Sequence, residues 1–359
     1  MESVFFQTVL LHWYSHNKRD LPWRHTLNPY YIWVSEIILQ QTRIAQGTDY
    51  YYRFIKHFPD IKKLAEAQTD EVLKLWEGLG YYSRARNLHS AAKTILNDYH
   101  GIFPSDYNKI IKLKGIGKYT AAAIASFSFN QPYAVLDGNV FRVLSRIFGI
   151  ELPVDSSPGR STFEKQASEL LDKDNPGLYN QAIMDFGALH CTERNPKCLV
   201  CPFNTECFAY KNQQVDFLPV RKKKVEKKIR HFYYLVMIKK DKCFIQKRTK
   251  QDIWNSLFEF PLIESEHELN LNQLKETAGW KQIFNENKYD ILLTSRIFKH
   301  ILTHQVISAK FIILKVGEDG LFSESFKAVH LAEMQHYTFP RLIHKFLDSL
   351  SLGNYFEYF

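Results

Sequence analysis

Four of the chain's five cysteines fall between residues 191 and 207, spaced Cys191-x6-Cys198-x2-Cys201-x5-Cys207. Four thiolates in so short a window can wrap one tetrahedral metal or one iron–sulfur cube. The chain there is expected to fold as a tight loop around a shared centre. The donor set alone leaves zinc and iron–sulfur both open. Five cysteines in 359 residues also exclude a disulfide-framed scaffold. Cys243 stands apart in the apolar run CFI and reads as an inert core thiol.

Around this loop the chain changes texture once. Residues 1–211 carry helical spacing in SEIILQQTRIAQGTDYYYRFIKHF, DEVLKLWEGL, ARNLHSAAKTILNDY and YTAAAIASFSF, punctuated by glycine and proline. Beyond residue 230 the pattern is strand-like: FYYLVMI and CFIQKR flank KKDK as a hairpin, and ILLTSRIFKHILT and VISAKFIILKV follow. Helices fit NLNQLKETAG and FPRLIHKFLDSL. The reading is an all-α part over residues 1–211, a linker over 212–230 and a smaller α+β part over 231–359. No run approaches 18 uninterrupted apolar residues, which excludes a membrane-spanning helix. The start MESVFFQTVLLHWYSH lacks a basic leader and a small-residue cleavage site, so it reads as a mature helix.

The net charge of +9 sits mostly in one place. Residues 221–230, RKKKVEKKIR, carry seven basic groups against one acid, and the flanking parts are close to neutral. Such a segment is either a solvated spacer or a strip that lies along phosphates.

Residues 113–121, LKGIGKYTA, join two helix-like runs. Gly115 and Gly117 permit a tight turn with exposed backbone N–H groups, and the helix that opens at Lys118 favours an anion at its N-terminus. A helix–hairpin–helix of this kind can hold a nucleic-acid phosphate without reading sequence. Two carboxylates flank it: Glu36 in SEIILQQT, on an otherwise apolar helix, and Asp137 in VLDGNVFRVL. Taken singly, Asp137 reads as an N-cap and Glu36 as a solvated helix residue.

Hairpin, aspartate and four-cysteine loop in this order resemble the helix–hairpin–helix DNA glycosylase superfamily that includes endonuclease III. The lyase members carry Lys directly before the Thr-Ala that opens the second hairpin helix; here that position is Tyr119. Leu21-Pro22-Trp23-Arg24, Ser35-Glu36 with Leu39-Gln40-Gln41-Thr42, GLGYYSRARN and YNQAIMDFGA instead resemble the MutY group of adenine DNA glycosylases. The C-terminal part is similar to that group's second, Nudix-like domain. The metal-dependent Nudix signature is absent, so no hydrolase site is expected there.

The resemblance implies a multidomain protein: an all-α helix–hairpin–helix glycosylase part with an iron–sulfur loop, then a Nudix-like α+β domain. It implies hydrolysis of the N-glycosidic bond of adenine opposite 8-oxoguanine or guanine in double-stranded DNA, leaving an abasic site. Glu36 would protonate the base and Asp137 would stabilise the sugar cation. Leu21, Trp23, Arg24, Tyr119 and Gln181 would line the adenine pocket, while Gln41 and Tyr81 would enter the base stack. Gly115, Gly117 and Lys118 would hold a DNA phosphate. Cys191, Cys198, Cys201 and Cys207 would hold a [4Fe-4S] cluster. Leu302, Thr303 and His304 would contact the lesion, although Leu and Thr replace the family's usual Phe and Ser. Trp254-Asn255-Ser256-Leu257 likewise departs from a usual glycine pair. The protein is expected to be a monomer, cytoplasmic, and active at the bacterial nucleoid. Two other classes stay open: a bifunctional pyrimidine-lesion glycosylase, opposed by Tyr119 and Glu36, and a non-catalytic damage-binding protein with a structural metal, opposed by the two carboxylates.

Overall fold

The computed structural model describes residues 2–222, 226–284, 287–317 and 322–351. The chain forms two compact units: Met1–Ala67 with Asn87–Lys223, and Gln68–Arg86 with Lys224–Phe359. Residues 68–86, read from sequence as part of the helical half, therefore group with the second unit. Part of the basic run, residues 223–225, lies outside the described residues. Lys228, at the end of the segment read as linker, already starts a strand.

The first unit is helical, as its 3.6-residue spacing implies. Its N-terminal helix, Ser3–Asn17, buries Phe6, Leu10 and Tyr14. Residues at this i, i+4, i+8 spacing share one helix face. Phe6 stacks on Phe203 at 4.9 Å, and Phe203 meets Phe186 edge-on at 5.3 Å. Phe203 is wholly buried inside the cysteine loop and anchors it to the helical core.

The run SEIILQQTRIAQGTDYYYRFIKHF is not one helix but two, Pro29–Leu39 and Ile44–His57. The first starts on Pro29, with the Asn28 side chain accepting from the Tyr30 N–H at 2.9 Å. It ends because Gln41 takes a left-handed φ of 55°. Amphipathic spacing continues across the break, which is why periodicity alone does not reveal it. Of two later helices, Lys118–Phe129, entered through the glycine hairpin, holds Tyr119, and Gly138–Phe148, capped by Asp137, closes on Gly149 at φ 68°.

The second unit is built on a mixed sheet. Its strands are β1 Lys228–Lys239, β2 Lys242–Lys247, β3 Phe258–Glu259, β4 Leu262–Ser265, β5 Tyr289–Thr294, β6 Phe298–Ile301, β7 Gln305–Val316 and β8 Lys327–His330. The main order is β3-β2-β1-β7-β5, with β4 on β1, β6 on β7 and β8 on β2. β1 and β2 form the expected hairpin, pairing Ile238 with Cys243. β1 runs parallel to β7 along its length. Its uninterrupted apolar run suits a strand buried on both faces. Phe346 of the helix Arg341–Ser351 stacks on Phe311 of β7 at 3.9 Å. Trp280 and Phe284 of Ala278–Phe284 belong to a separate apolar cluster with alternate residues of the same two strands. Cys243 is fully buried in the first of these clusters, its thiol pushed up to about 12 by burial. No helix among the described residues is long and apolar enough to cross a membrane.

Candidate active site

In the first unit a cavity of about 210 Å³ is lined by Leu21, Trp23, Arg24, Glu36, Tyr119, Asp137 and Gln181. Seven residues singled out from sequence thus share one wall. The short turn Pro22–Arg24 supplies Trp23, which is buried edge-on against Tyr51 at 5.3 Å. Gln181 accepts from the Tyr14 hydroxyl at 3.0 Å. Gln41 is exposed, beside the lining residue Thr42. Its left-handed backbone is a conformation that non-glycine residues adopt at a cost of about 1–3 kcal/mol, and such strain clusters at functional sites.

Glu36 is buried on the helix Pro29–Leu39. Burial pushes its carboxyl up to about 7, opposed by a hydrogen bond from the Tyr119 hydroxyl. The nearby Asp137 charge adds to the rise and Arg24 opposes it. Burial also holds Tyr119 well above the usual phenol range, so it stays a neutral donor. Asp137 is the N-cap of Gly138–Phe148: Oδ1 accepts from the Val140 N–H at 2.8 Å and Oδ2 from Asn139 Nδ2 at 2.8 Å. Burial raises Asp137, and these donors pull it back. The N-cap and catalytic readings of Asp137 are therefore compatible: the helix start fixes a carboxylate on the cavity wall. One carboxyl poised near neutrality beside a second held by several donors is the environment split that separates an acid from an anion.

The sequence, in which Asn139 follows Asp137 and Gly138, suggests no role for Asn139 or for Arg142. Arg142 Nη2 donates to Asn139 Oδ1 at 2.8 Å and to the Gly187 carbonyl at 2.6 Å. Its Nε donates to the Cys191 carbonyl at 2.7 Å. One turn on, Arg146 Nη1 donates to the Thr192 carbonyl at 2.7 Å. The helix capped by Asp137 thus grips the cysteine loop through two arginines four residues apart. That spacing is legible only once the partner loop is known. Asp185, in the quoted run YNQAIMDFGA, was also given no role, yet it is fully buried against Arg19 and Arg24.

Cys191, Cys198, Cys201 and Cys207 line a single cavity. Burial pushes Cys201 up to about 12 and raises Cys198 and Cys207, with the neighbouring thiolates adding to the rise. Burial therefore favours the neutral form of these three thiols. Among the described residues, no three His, Cys, Asp or Glu side chains meet where a single ion could be held. At the hairpin, Gly115 has φ 83°, and a Cβ there would lie 2.6 Å from Asn87. Gly117 has an ordinary backbone and open space around it. It caps Lys118–Phe129 without a side-chain bond, so the first-turn N–H groups take no cap from it. Lys118 is exposed and paired to Glu164 at 2.7 Å.

In the second unit, Tyr81, Leu302, Thr303 and His304 line one cavity of about 450 Å³. The Tyr81 hydroxyl lies 3.4 Å from Thr303 Oγ1, and Tyr81 has φ 47°. Trp254 is on the same wall, edge-on to His300 at 5.6 Å. Within Trp254-Asn255-Ser256-Leu257, the stretch that departs from a usual glycine pair, Trp254 and Ser256 have φ 59° and 66°. The loop keeps the backbone glycine favours and carries strain instead, held by Arg86 Nη1 on the Asn255 carbonyl at 2.6 Å.

Two family models match the chain: "HhH-GPD superfamily base excision DNA repair protein" over residues 34–172 and "NUDIX domain" over residues 233–349. An adenine DNA glycosylase of Buchnera aphidicola subsp. Baizongia pistaciae is 37% identical over 333 residues, covering 91% of this chain and 90% of that protein. The chain belongs to the adenine DNA glycosylase family. A second member, from Buchnera aphidicola subsp. Acyrthosiphon pisum, is 36% identical across 97% of this chain and 98% of its own length. Among solved structures, a thermostable thymine-DNA glycosylase is 30% identical, with a TM-score of 0.55 over 58% of this chain and 97% of its own. The helical and Nudix-like halves read from sequence are those of the family.

Proposed function

We propose that this protein hydrolyses the N-glycosidic bond of adenine mispaired with 8-oxoguanine or guanine, leaving an abasic site. The observation that carries the reading is Glu36: a buried carboxyl with its proton balanced near pH 7, facing a cavity that also holds Asp137. Adenine leaves poorly until protonated. Once the base is flipped from the duplex, at a cost of roughly a few kcal/mol, Glu36 donates to the ring as general acid. Asp137, fixed by its helix cap, stabilises the cationic sugar, and water completes the hydrolysis. Tyr119 holds Glu36 and offers no amine for a covalent sugar adduct.

Duplexes carrying A:8-oxoG, A:G or thymine glycol test this directly. Excision of adenine, with the abasic strand uncut until alkali is added, is the expected result. Release of thymine glycol with strand cutting would support a lyase-type glycosylase. Tight binding with no base release would support a damage-binding protein.

The cysteine cavity fits a [4Fe-4S] cluster held by Cys191, Cys198, Cys201 and Cys207. The support is that the four cysteine side chains line one cavity and that burial raises Cys198, Cys201 and Cys207, so that metal charge would favour their thiolate forms. When bound, the cluster would cross-link the loop that Arg142 and Arg146 grip. The purified protein is expected to be brown and to contain iron; zinc at one per chain without iron would overturn this assignment.

The second unit is assigned the reading of the base opposite adenine. The flipped adenine looks the same whatever it faced, so discrimination must come from the other strand. Tyr81, Thr303 and His304 present a ring, a hydroxyl and an imidazole to one cavity. 8-Oxoguanine differs from guanine by O8 and a proton on N7, and each hydrogen bond to that edge is worth on the order of 1 kcal/mol. Thr303→Ala with His304→Ala is expected to lower the preference for A:8-oxoG over A:G about tenfold in competition assays while A:G excision persists. An unchanged preference would move recognition to the first unit, around Gln41.

A further inference from the structure

Asp185 lies in the helix Pro176–Leu189 and has no exposed surface. Two guanidinium groups share its oxygens. Arg24 forks onto it, Nη1 at 2.7 Å from Oδ2 and Nη2 at 2.8 Å from Oδ1. Arg19 adds Nε at 2.8 Å from Oδ1 and its backbone N–H at 3.1 Å from Oδ2, and its Nη2 also reaches Oδ1. Burial pushes the Asp185 carboxyl up, but the bonds from Arg24 and Arg19 outweigh it and hold it below the ordinary carboxylate value. Buried ion triads of this kind are weak sources of stability, since apolar residues of the same volume often do as well. A triad placed at the wall of the Glu36 cavity asks for another reason.

We propose that Asp185 is a positioning residue for the acid step: it pins and neutralises Arg24, so that a cation can line the base pocket without drawing the proton off Glu36. This rests on the reading of Glu36 as the acid. The titratable groups facing Glu36 are Tyr119 from the helix Lys118–Phe129, Asp137 from the turn before Gly138–Phe148, and Arg24 from the turn Pro22–Arg24. Arg19, from the segment before that turn, also lines the cavity while bonded to Asp185, and Thr42 and Ile44, from the segment after the Glu36 helix, bring no charge to it. Arg24 in turn is faced by Asp185, Tyr14 and Glu36. Arg24, Arg19 and Asp185 together carry one net positive charge; without the Asp185 carboxylate they carry two. Positive charge favours the ionised form of a neighbouring carboxyl. Glu36 would then lose its proton at lower pH, and the acid would be spent at neutrality.

The test is the pH dependence of single-turnover adenine excision from an A:G duplex at saturating enzyme. In Asp185→Asn the midpoint of the alkaline fall is expected about one pH unit lower than in the natural protein. The rate should be within about threefold at pH 5.5 and about tenfold lower at pH 8. Arg24→Gln should raise the midpoint, and the double variant should return it near the natural value. A uniform loss at every pH, or an unmoved midpoint, would mean that Asp185 only holds the fold, and would overturn the proposal. Should Asp185→Asn fail to fold, Arg24→Gln alone decides: an unmoved or lowered midpoint overturns it. If the natural protein excises no adenine, the functional reading has failed, and the proposal is then decided without catalysis. Infrared titration of the Glu36 carboxyl band, identified by its loss in Glu36→Gln, should still show the lower midpoint in Asp185→Asn.

Discussion

Glu36→Gln is expected to lower adenine excision about a thousandfold while leaving affinity for a mispaired duplex within about threefold. The amide keeps the shape, and its oxygen can still accept from Tyr119, but it has no carboxyl proton to give. Binding should survive because phosphate contacts come from elsewhere in the chain, with Lys118 and the first turn of Lys118–Phe129 as the candidates. Single-turnover excision and duplex binding on the same variant check this; near-normal excision at saturating enzyme would remove Glu36 from the mechanism.

The same substitution reports on stability, and the sign follows from burial. The Glu36 carboxyl is raised to about 7 in the folded protein, against an ordinary value of 4.5. The folded state therefore holds the proton more tightly than the unfolded chain. Stability from this site is greatest below about pH 4.5 and falls as pH rises to about 7, after which it is flat. Glutamine does not titrate. At pH 8 the variant should be more stable than the natural protein by on the order of 2–3 kcal/mol, and near pH 4 the difference should vanish. An inactive variant with a raised Tm at pH 8 separates loss of chemistry from loss of fold.

How far the sequence reveals this site depends on how local each feature is. The cysteine spacing, the glycine hairpin and the carboxylates are short patterns: the four cysteines line one cavity, Glu36 and Asp137 line another, and Gly115 takes the left-handed backbone the hairpin needs. The β1–β2 hairpin and the buried Cys243 follow from apolar, β-rich runs on either side of KKDK. The break at Gln41 is invisible because helical periodicity runs through it; only its left-handed φ ends the helix. Asp185 is missed because its partners Arg19 and Arg24 lie more than 160 residues away, so nothing adjacent marks it as charged-paired. The grouping of residues 68–86 with the second unit is hidden for the same reason. Their helical pattern is plain, but what they pack with is decided by contacts such as Glu77 with His344 at 2.9 Å and Tyr81 with Thr303. Arg142 looks like an ordinary basic residue on an amphipathic helix until the Cys191 carbonyl is placed beside it.

Asp137→Asn should cost at least a few hundredfold in turnover, for a reason that can be kept apart from its structural cost. Asparagine is as good an N-cap as aspartate, so the helix Gly138–Phe148 should persist. Asp137 uses both oxygens, however, one for the Val140 N–H and one for Asn139 Nδ2. Asparagine has one oxygen to offer. Flipping Asn139 to match would point its amide at Arg142, which already donates to Asn139 Oδ1. One hydrogen bond is therefore lost or bent, a penalty of about 1 kcal/mol, visible as a small fall in Tm. Removal of a group that stabilises developing charge in a water-poor site is worth far more, about a hundredfold to a thousandfold in rate. The two effects also differ in pH. The Asp137 charge helps keep the proton on Glu36. Without it, the residual activity should fall off at a lower pH than in the natural protein, whereas a purely structural defect would lower the whole profile without moving it. Turnover within tenfold of normal, with an unmoved alkaline midpoint, would show that Asp137 serves the helix and not the sugar cation.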